Sequence, residues 1–211
     1  DWIETEGAFP QTMIDRIVPA TIPDDIARLT ARLGVEDQGM VKAEPFTQWV
    51  IEDTFWNGRP KFETVGATMA RDVEAFELMK LRMLNGSHST MSYLGYLGGK
   101  AFVSEAIGDP GLRALVHGLM TEEVMPTLPM PRAELEAYRD ALLARFANPA
   151  LKHRTWQIAM DGSQKIPIED ALSLLCSPLA KHHVPHVYAD FGGANHARHI
   201  GNGSVRFIVG D

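Results

Sequence analysis

Residues 77–88, "ELMKLRMLNGSH", place a carboxylate, an amine, an amide and an imidazole within twelve positions. On a regular helix each residue turns by about 100°, which sets Glu77 about 60°, His88 about 80° and Asn85 about 140° from Lys80. The four share less than half of the circumference, among the apolar Leu81 and Leu84. A lysine in an apolar, partly desolvated site can act as a base. An asparagine amide can donate to an oxygen that gains negative charge, and a histidine can hold a hydroxyl in place. Glu77 can pass protons between Lys80 and solvent. Gly86 costs about 1 kcal/mol relative to alanine inside a helix, which close approach of a backbone or a ligand would justify. An ordinary amphipathic helix, with Glu77 and Lys80 as an ion pair one turn apart, contains the same residues.

The elements that must carry this set are mostly helical. Asp24-Asp25 caps a helix that runs to Leu33 and stops at Gly34. "FTQWVIEDTF", residues 46–55, reads as a strand. A long helix covers residues 70–97 and ends at Gly98-Gly99; further helices are expected at 100–107, 110–122, 131–146 and 150–160. Pro110 and Pro131 fit helix starts. The helix over 131–146 has Leu135, Tyr138, Leu142 and Leu143 on one face. Trp49, Trp56 and Trp156 are expected in the core.

The 211 residues carry a net charge of −7 and contain 45% hydrophobic residues. The net charge argues against a nucleic-acid or anionic-membrane surface. No apolar run approaches the roughly 18 residues of a membrane helix. The single cysteine, Cys176, cannot close an internal disulfide, so a cytoplasmic location is expected. The chain opens on Asp1 without an initiator methionine, which suggests a processed, excised or incomplete chain. Five of the eight histidines fall after position 180: His182, His183, His186, His196 and His199. Pro185 interrupts the His182–His186 spacing, and His196 and His199 lack a neighbouring carboxylate or cysteine at a zinc spacing. No metal site is expected.

"KLRMLNGSHS" with "YLGYLGG" resembles the lysine motif of the long-chain mannitol dehydrogenase family. "FPQTMIDRIVPAT" is similar to that family's FP-x-[ST]-M-V-D-R-I signature, with Ile14 at the usual valine, and "EPFTQWVIEDTF" and "RFANPALKHRTWQIAMDGSQK" match as well. The last stretch looks most like the fructuronate reductases. The resemblance covers about residues 1–168 and implies a mainly α fold. The expected type is the multi-helical C-terminal domain of mannitol and 6-phosphogluconate dehydrogenases, incomplete and with a minor β element.

The resemblance implies a metal-independent oxidoreductase that uses NAD(P) on a sugar acid or polyol. It gives Lys80 the role of general acid/base, Asn85 that of an oxyanion amide, and His88 that of orienting the reacting oxygen. Glu77 takes the proton path. Asp15 and Lys165 are implied as substrate ligands, with Arg154 and His153 near the substrate carboxylate. A second oxyanion amide of the family falls upstream of Asp1.

No G-x-G-x-x-G follows a strand, and no βαβ unit fits before Asp15. Residues 1–166 are therefore expected to form the substrate domain without its dinucleotide partner, followed by a divergent tail, 167–211. Mannitol 2-dehydrogenase is the rival within the enzyme class. A helical fragment that turns nothing over is the rival outside it.

Overall fold

The computed structural model describes residues 1–160 and, as backbone, the paired strands Val187–Ala189 and Phe207–Val209. Lys165, Cys176 and the five late histidines lie outside the described residues.

The fold is mainly α, with a small three-stranded sheet near its start. Its strands are β1 (Thr12–Asp15), β2 (Gln48–Glu52) and β3 (Thr68–Ala70). β1 runs antiparallel to β2, with Ile14 opposite Trp49, and β3 runs parallel to β2. The alternation of β1 sends Met13 and Asp15 inward and Thr12 and Ile14 outward. Residues 46–55 form a strand only at their centre. Ala70, expected in the long helix, ends β3.

Helix α1 spans Trp2–Glu6 and α2 spans Pro23–Leu33. Pro23 occupies the first turn of α2, and Gly34 closes it at φ +75°, a conformation open to glycine. The N-cap is Ile22, not an aspartate. Asp25, one turn in, accepts from the Ile22 N–H at 3.4 Å. Its buried carboxylate also accepts from Lys42 Nζ at 2.9 Å and is paired with Arg28. The Lys42 hydrogen bond holds the Asp25 carboxyl below its ordinary value, with Arg28 assisting against burial. A depressed carboxyl contributes stability above its unfolded value, and that contribution vanishes as pH falls through the lower folded value. Urea melts should therefore show Asp25→Asn less stable than wild type at pH 6. The gap should shrink steadily below about pH 4, where an unfolded aspartate protonates.

The long helix is one continuous rod in three parts: α3 (Glu74–Met79), a π turn (Lys80–Asn85) and α4 (Gly86–Leu97). In the π turn the Gly86 N–H reaches the Leu81 carbonyl, five residues back. Helices α5 (Val103–Gly108) and α6 (Pro110–Gly118) follow. The helix expected to run to residue 122 changes at Leu119 into a second π turn, Leu119–Val124. The two π turns pack against each other. Helix α7 covers Arg132–Phe146. Helix α8 has five residues, Thr155–Ala159, because the chain before it is extended and Arg154 bridges Phe102.

Helix α4 lies at the centre and packs on α5, α6 and α8. Residues 86–92 are all buried, including four hydroxyl side chains. Thr90 Oγ1 donates to the Gly86 carbonyl at 2.9 Å, and Ser92 Oγ donates to the Ser89 carbonyl at 2.9 Å. Donors folded back on their own helix let a polar segment occupy a core. Gly95 lets α5 approach closely, since a Cβ there would stand 2.9 Å from Ala106 Cβ. Gly95→Ala should cost about 1–3 kcal/mol as an overpacking change, read as a lowered urea midpoint.

The main core joins Met79, Met83, Met91, Ile107, Val116, Met120, Leu135 and Leu142 with their neighbours. A smaller cluster of Met13, Val50 and Val73 sits under the sheet, and Phe76 packs on both. The three tryptophans do not enter either. Trp49, Trp56 and Trp156 are 39%, 61% and 44% exposed. Trp49 faces outward on β2 while Val50 takes the core position, and its indole N–H donates to Thr12 Oγ1 at 2.7 Å. Trp156 rests on Tyr96, with ring centres 5.2 Å apart.

Candidate active site

The site grows from the π turn. A turn closed five residues back amounts to one residue inserted into an α-helix. Everything after it falls back by one position, so Asn85 comes to about 40° from Lys80 and His88 to about −20°. The regular-helix angles of 140° and 80° are thereby corrected, and Lys80, Asn85 and His88 fall on one narrow stripe.

Lys80 Nζ donates to the carbonyl of Ile14 on β1. Asn85 is half-buried, and its amide makes no hydrogen bond to a described residue. His88 is buried, with its ring 4.8 Å from Phe146 and edge-on to His153 at 5.2 Å. Glu77 is exposed one turn before Lys80. No described atom lies within 4 Å of where a Gly86 Cβ would be, so no backbone approach explains that glycine. Arg82, on the far side of the π turn, donates to the Thr127 carbonyl at 2.9 Å and to its hydroxyl at 3.0 Å. Thr127 Oγ1 in turn donates to Val124 O at 2.7 Å, tying the two π turns together.

Beneath Lys80 lies a buried ionic network. Asp15 and Glu44 are 0% and 1% exposed, and Arg145 is 8% exposed. Arg145 grips Asp15 with two parallel bonds, Nη1 to Oδ2 at 2.9 Å and Nη2 to Oδ1 at 2.7 Å. It grips Glu44 through Nε at 3.0 Å and Nη2 at 2.7 Å. Its guanidinium lies 3.9 Å over the Phe46 ring. Tyr138 Oη donates to Asp15 Oδ2 at 2.7 Å, and the Ile17 N–H donates to Glu44 Oε1 at 2.6 Å. Burial, and then the Asp15 charge, push the Tyr138 phenol well above its ordinary value. Burial works against the Arg145 charge, yet its hydrogen bonds to Asp15 and Glu44 outweigh it and hold the guanidinium above its usual range.

A small pocket joins this network to His88. Ile17, His88, Ser104, Arg145, Asn148 and His153 line it together with apolar neighbours. The chain of contacts is therefore Lys80 to Ile14, Asp15 to Arg145, and Arg145 across the pocket to His88. Arg154 is exposed and stands over Phe102, 5.9 Å from the ring centre, away from these contacts. Its neighbour His153 is the residue that reaches His88.

Sequence reasoning missed Glu44, Arg145 and the polar role of Tyr138. One signal was available: Arg145 stands seven residues after Tyr138, on the apolar stripe of α7. Among the described residues, no three histidine, cysteine or acidic side chains gather as a metal site. No described helix is long and apolar enough to cross a membrane.

Residues 72–188 match the family model of the mannitol dehydrogenase C-terminal domain. The chain belongs to the mannitol dehydrogenase family. Residues 1–64 match the mannitol dehydrogenase Rossmann domain, so the two matches meet between the sheet's second strand and α3. The D-mannonate oxidoreductase of Escherichia coli (strain K12) is 54% identical over 167 residues, 79% of this chain and 34% of that protein. A D-sorbitol dehydrogenase structure in substrate-free form superposes with a TM-score of 0.72 at 37% identity, over 86% of this chain and 40% of that one. The Pseudomonas fluorescens mannitol 2-dehydrogenase, in a ternary complex with NAD and D-mannitol, gives a TM-score of 0.69 at 41% identity over 79% of this chain and 34% of that one. The chain thus spans about a third of the length of the curated relative. Family membership and the mainly α fold agree with the resemblance carried by the lysine motif.

Proposed function

We propose that this chain carries the substrate-side chemistry of a NAD(P)-dependent interconversion of D-fructuronate and D-mannonate. The observation that carries the proposal is the stripe of Lys80, Asn85 and His88, with the lysine amine held against the Ile14 carbonyl. The 54% identity to a D-mannonate oxidoreductase favours the sugar acid over the polyol. NAD(P) supplies or takes up the hydride in that reaction.

The described residues contain no glycine-rich turn that leads from a strand into a helix to cradle a pyrophosphate, while residues 1–64 match the family's Rossmann-domain model. Their share of the work is at the substrate oxygen. As the ketone is reduced, charge grows on its oxygen. Asn85, whose amide has no protein partner among the described residues, donates to that oxygen, and His88 holds it. Lys80 as an ammonium delivers the proton, and as an amine it takes the hydroxyl proton in the reverse direction. Exposed Glu77 exchanges that proton with solvent. Lys165 pairs with the substrate carboxylate.

The test is consumption of reduced nicotinamide with fructuronate, fructose and no substrate. It is run on the chain alone and on the chain joined to the remaining domain of a relative. The joined enzyme should prefer fructuronate and the chain alone should show no turnover. A preference for fructose would move the assignment to mannitol 2-dehydrogenase. No turnover in the joined enzyme would leave the helical domain without a catalytic role.

A further inference from the structure

The family resemblance treats Asp15 as a ligand of the substrate, but its carboxylate is fully buried and both its oxygens are engaged by Arg145. We infer that Asp15, Arg145 and Glu44 are positioning residues, a buried clamp that aims the Ile14 carbonyl at the Lys80 amine and so fixes where that amine stands.

The geometry runs through one peptide bond. The Ile14 carbonyl, which accepts from Lys80, belongs to the same planar unit as the Asp15 nitrogen. Fixing the Asp15 side chain therefore fixes the direction of that carbonyl. β1 has only four residues and pairs with a described strand on one side alone, so ladder bonds by themselves hold it weakly. Two parallel bonds from Arg145 supply directional rigidity that a single bond cannot. Tyr138 adds a third bond to the same carboxylate. Glu44 holds the guanidinium from its other edge, and it also accepts from the Ile17 N–H two residues beyond Asp15. The clamp thus grasps the segment at two points, the Asp15 carboxylate and the Ile17 N–H. α7 donates the arginine, and the loop before β2 donates the glutamate. Three separate pieces of chain converge on the carbonyl that meets Lys80.

The role of Lys80 as the reacting amine rests on the proposed function; its placement by the clamp does not. The decisive experiment uses the 211-residue protein and a trace amine-acylating reagent, with labelling of each lysine read by mass spectrometry. Removing Arg145 alone strands two buried carboxylates. The main variant therefore replaces the whole clamp by neutral side chains of similar shape: Asp15→Asn, Glu44→Gln and Arg145→Met together. Lys80 labelling should rise about tenfold, the size of one lost hydrogen bond to a charged group, while Lys100 and Lys152 stay at wild-type values. Unchanged Lys80 labelling overturns the inference.

If every lysine rises together, the triple variant has unfolded, and Arg145→Lys decides. An ammonium lacks the planar fork, so Lys80 alone should rise there, and by less; no rise overturns the clamp. In the joined enzyme the same variants should lower kcat with KM little changed, with Arg145→Lys intermediate. Loss of turnover in all proteins, wild type included, would count against the proposed function and leave the labelling result intact.

Discussion

Lys80→Ala, in the chain joined to the remaining domain of a relative, should lower kcat for fructuronate reduction by about 10²–10⁴-fold, the range for losing a general acid or base. KM should move little, because the lysine acts on the proton in flight and contributes little to holding the ground state. A small primary amine added to the buffer should restore part of the rate, since the cavity left by the side chain admits the missing function. Asn85→Ala should also act on kcat, through the oxygen's developing charge, but an added amine should not rescue it. Nicotinamide absorbance with saturating fructuronate, for wild type and both variants, reads all of this. Equal rates for wild type and Lys80→Ala would remove the lysine from the chemistry.

This prediction depends on a feature that helical periodicity could not supply. The motif itself was legible: the residue types and their spacing picked out Glu77, Lys80, Asn85 and His88, and the segment is helical. Their alignment was not, because a regular turn leaves Asn85 about 140° from Lys80. The π turn is a tertiary product. It is braced by Arg82 on Thr127 and by a second π turn nearly forty positions away, and no local rule places an extra residue there.

Local chemistry did find α2, where Pro23 opens and Gly34 closes the helix, and the centre of β2. It overplaced the tryptophans, because aromatic size argues for burial while strand alternation gave the inward place to Val50. The family resemblance, not local chemistry, pointed to Asp15, and it did not show what the carboxylate meets. That partner, Arg145, is 130 residues away in sequence, and a contact of that reach leaves only an indirect trace: a charged residue on an apolar helical stripe.

Arg145→Leu should be the most destabilising single change in the described residues, by about 3–5 kcal/mol, because it removes one partner of a buried ionic network. Two carboxylates, Asp15 and Glu44, would remain away from water, one with the Tyr138 hydroxyl and the other with the Ile17 N–H as surviving donors. Burying a charge is tolerable only when it is paired and hydrogen-bonded, so the folded state pays the full desolvation of both. The neutral triple replacement, Asp15→Asn with Glu44→Gln and Arg145→Met, has no stranded charge and should be more stable than Arg145→Leu despite three substitutions instead of one. Urea denaturation followed by tryptophan fluorescence distinguishes the two. The midpoint of Arg145→Leu should fall well below that of the triple variant, with similar m-values if both unfold from the same compact state. A single variant as stable as the triple would mean that water reaches Asp15 and Glu44 once the arginine is gone, and that the network contributes direction at the Ile14 carbonyl without carrying the fold.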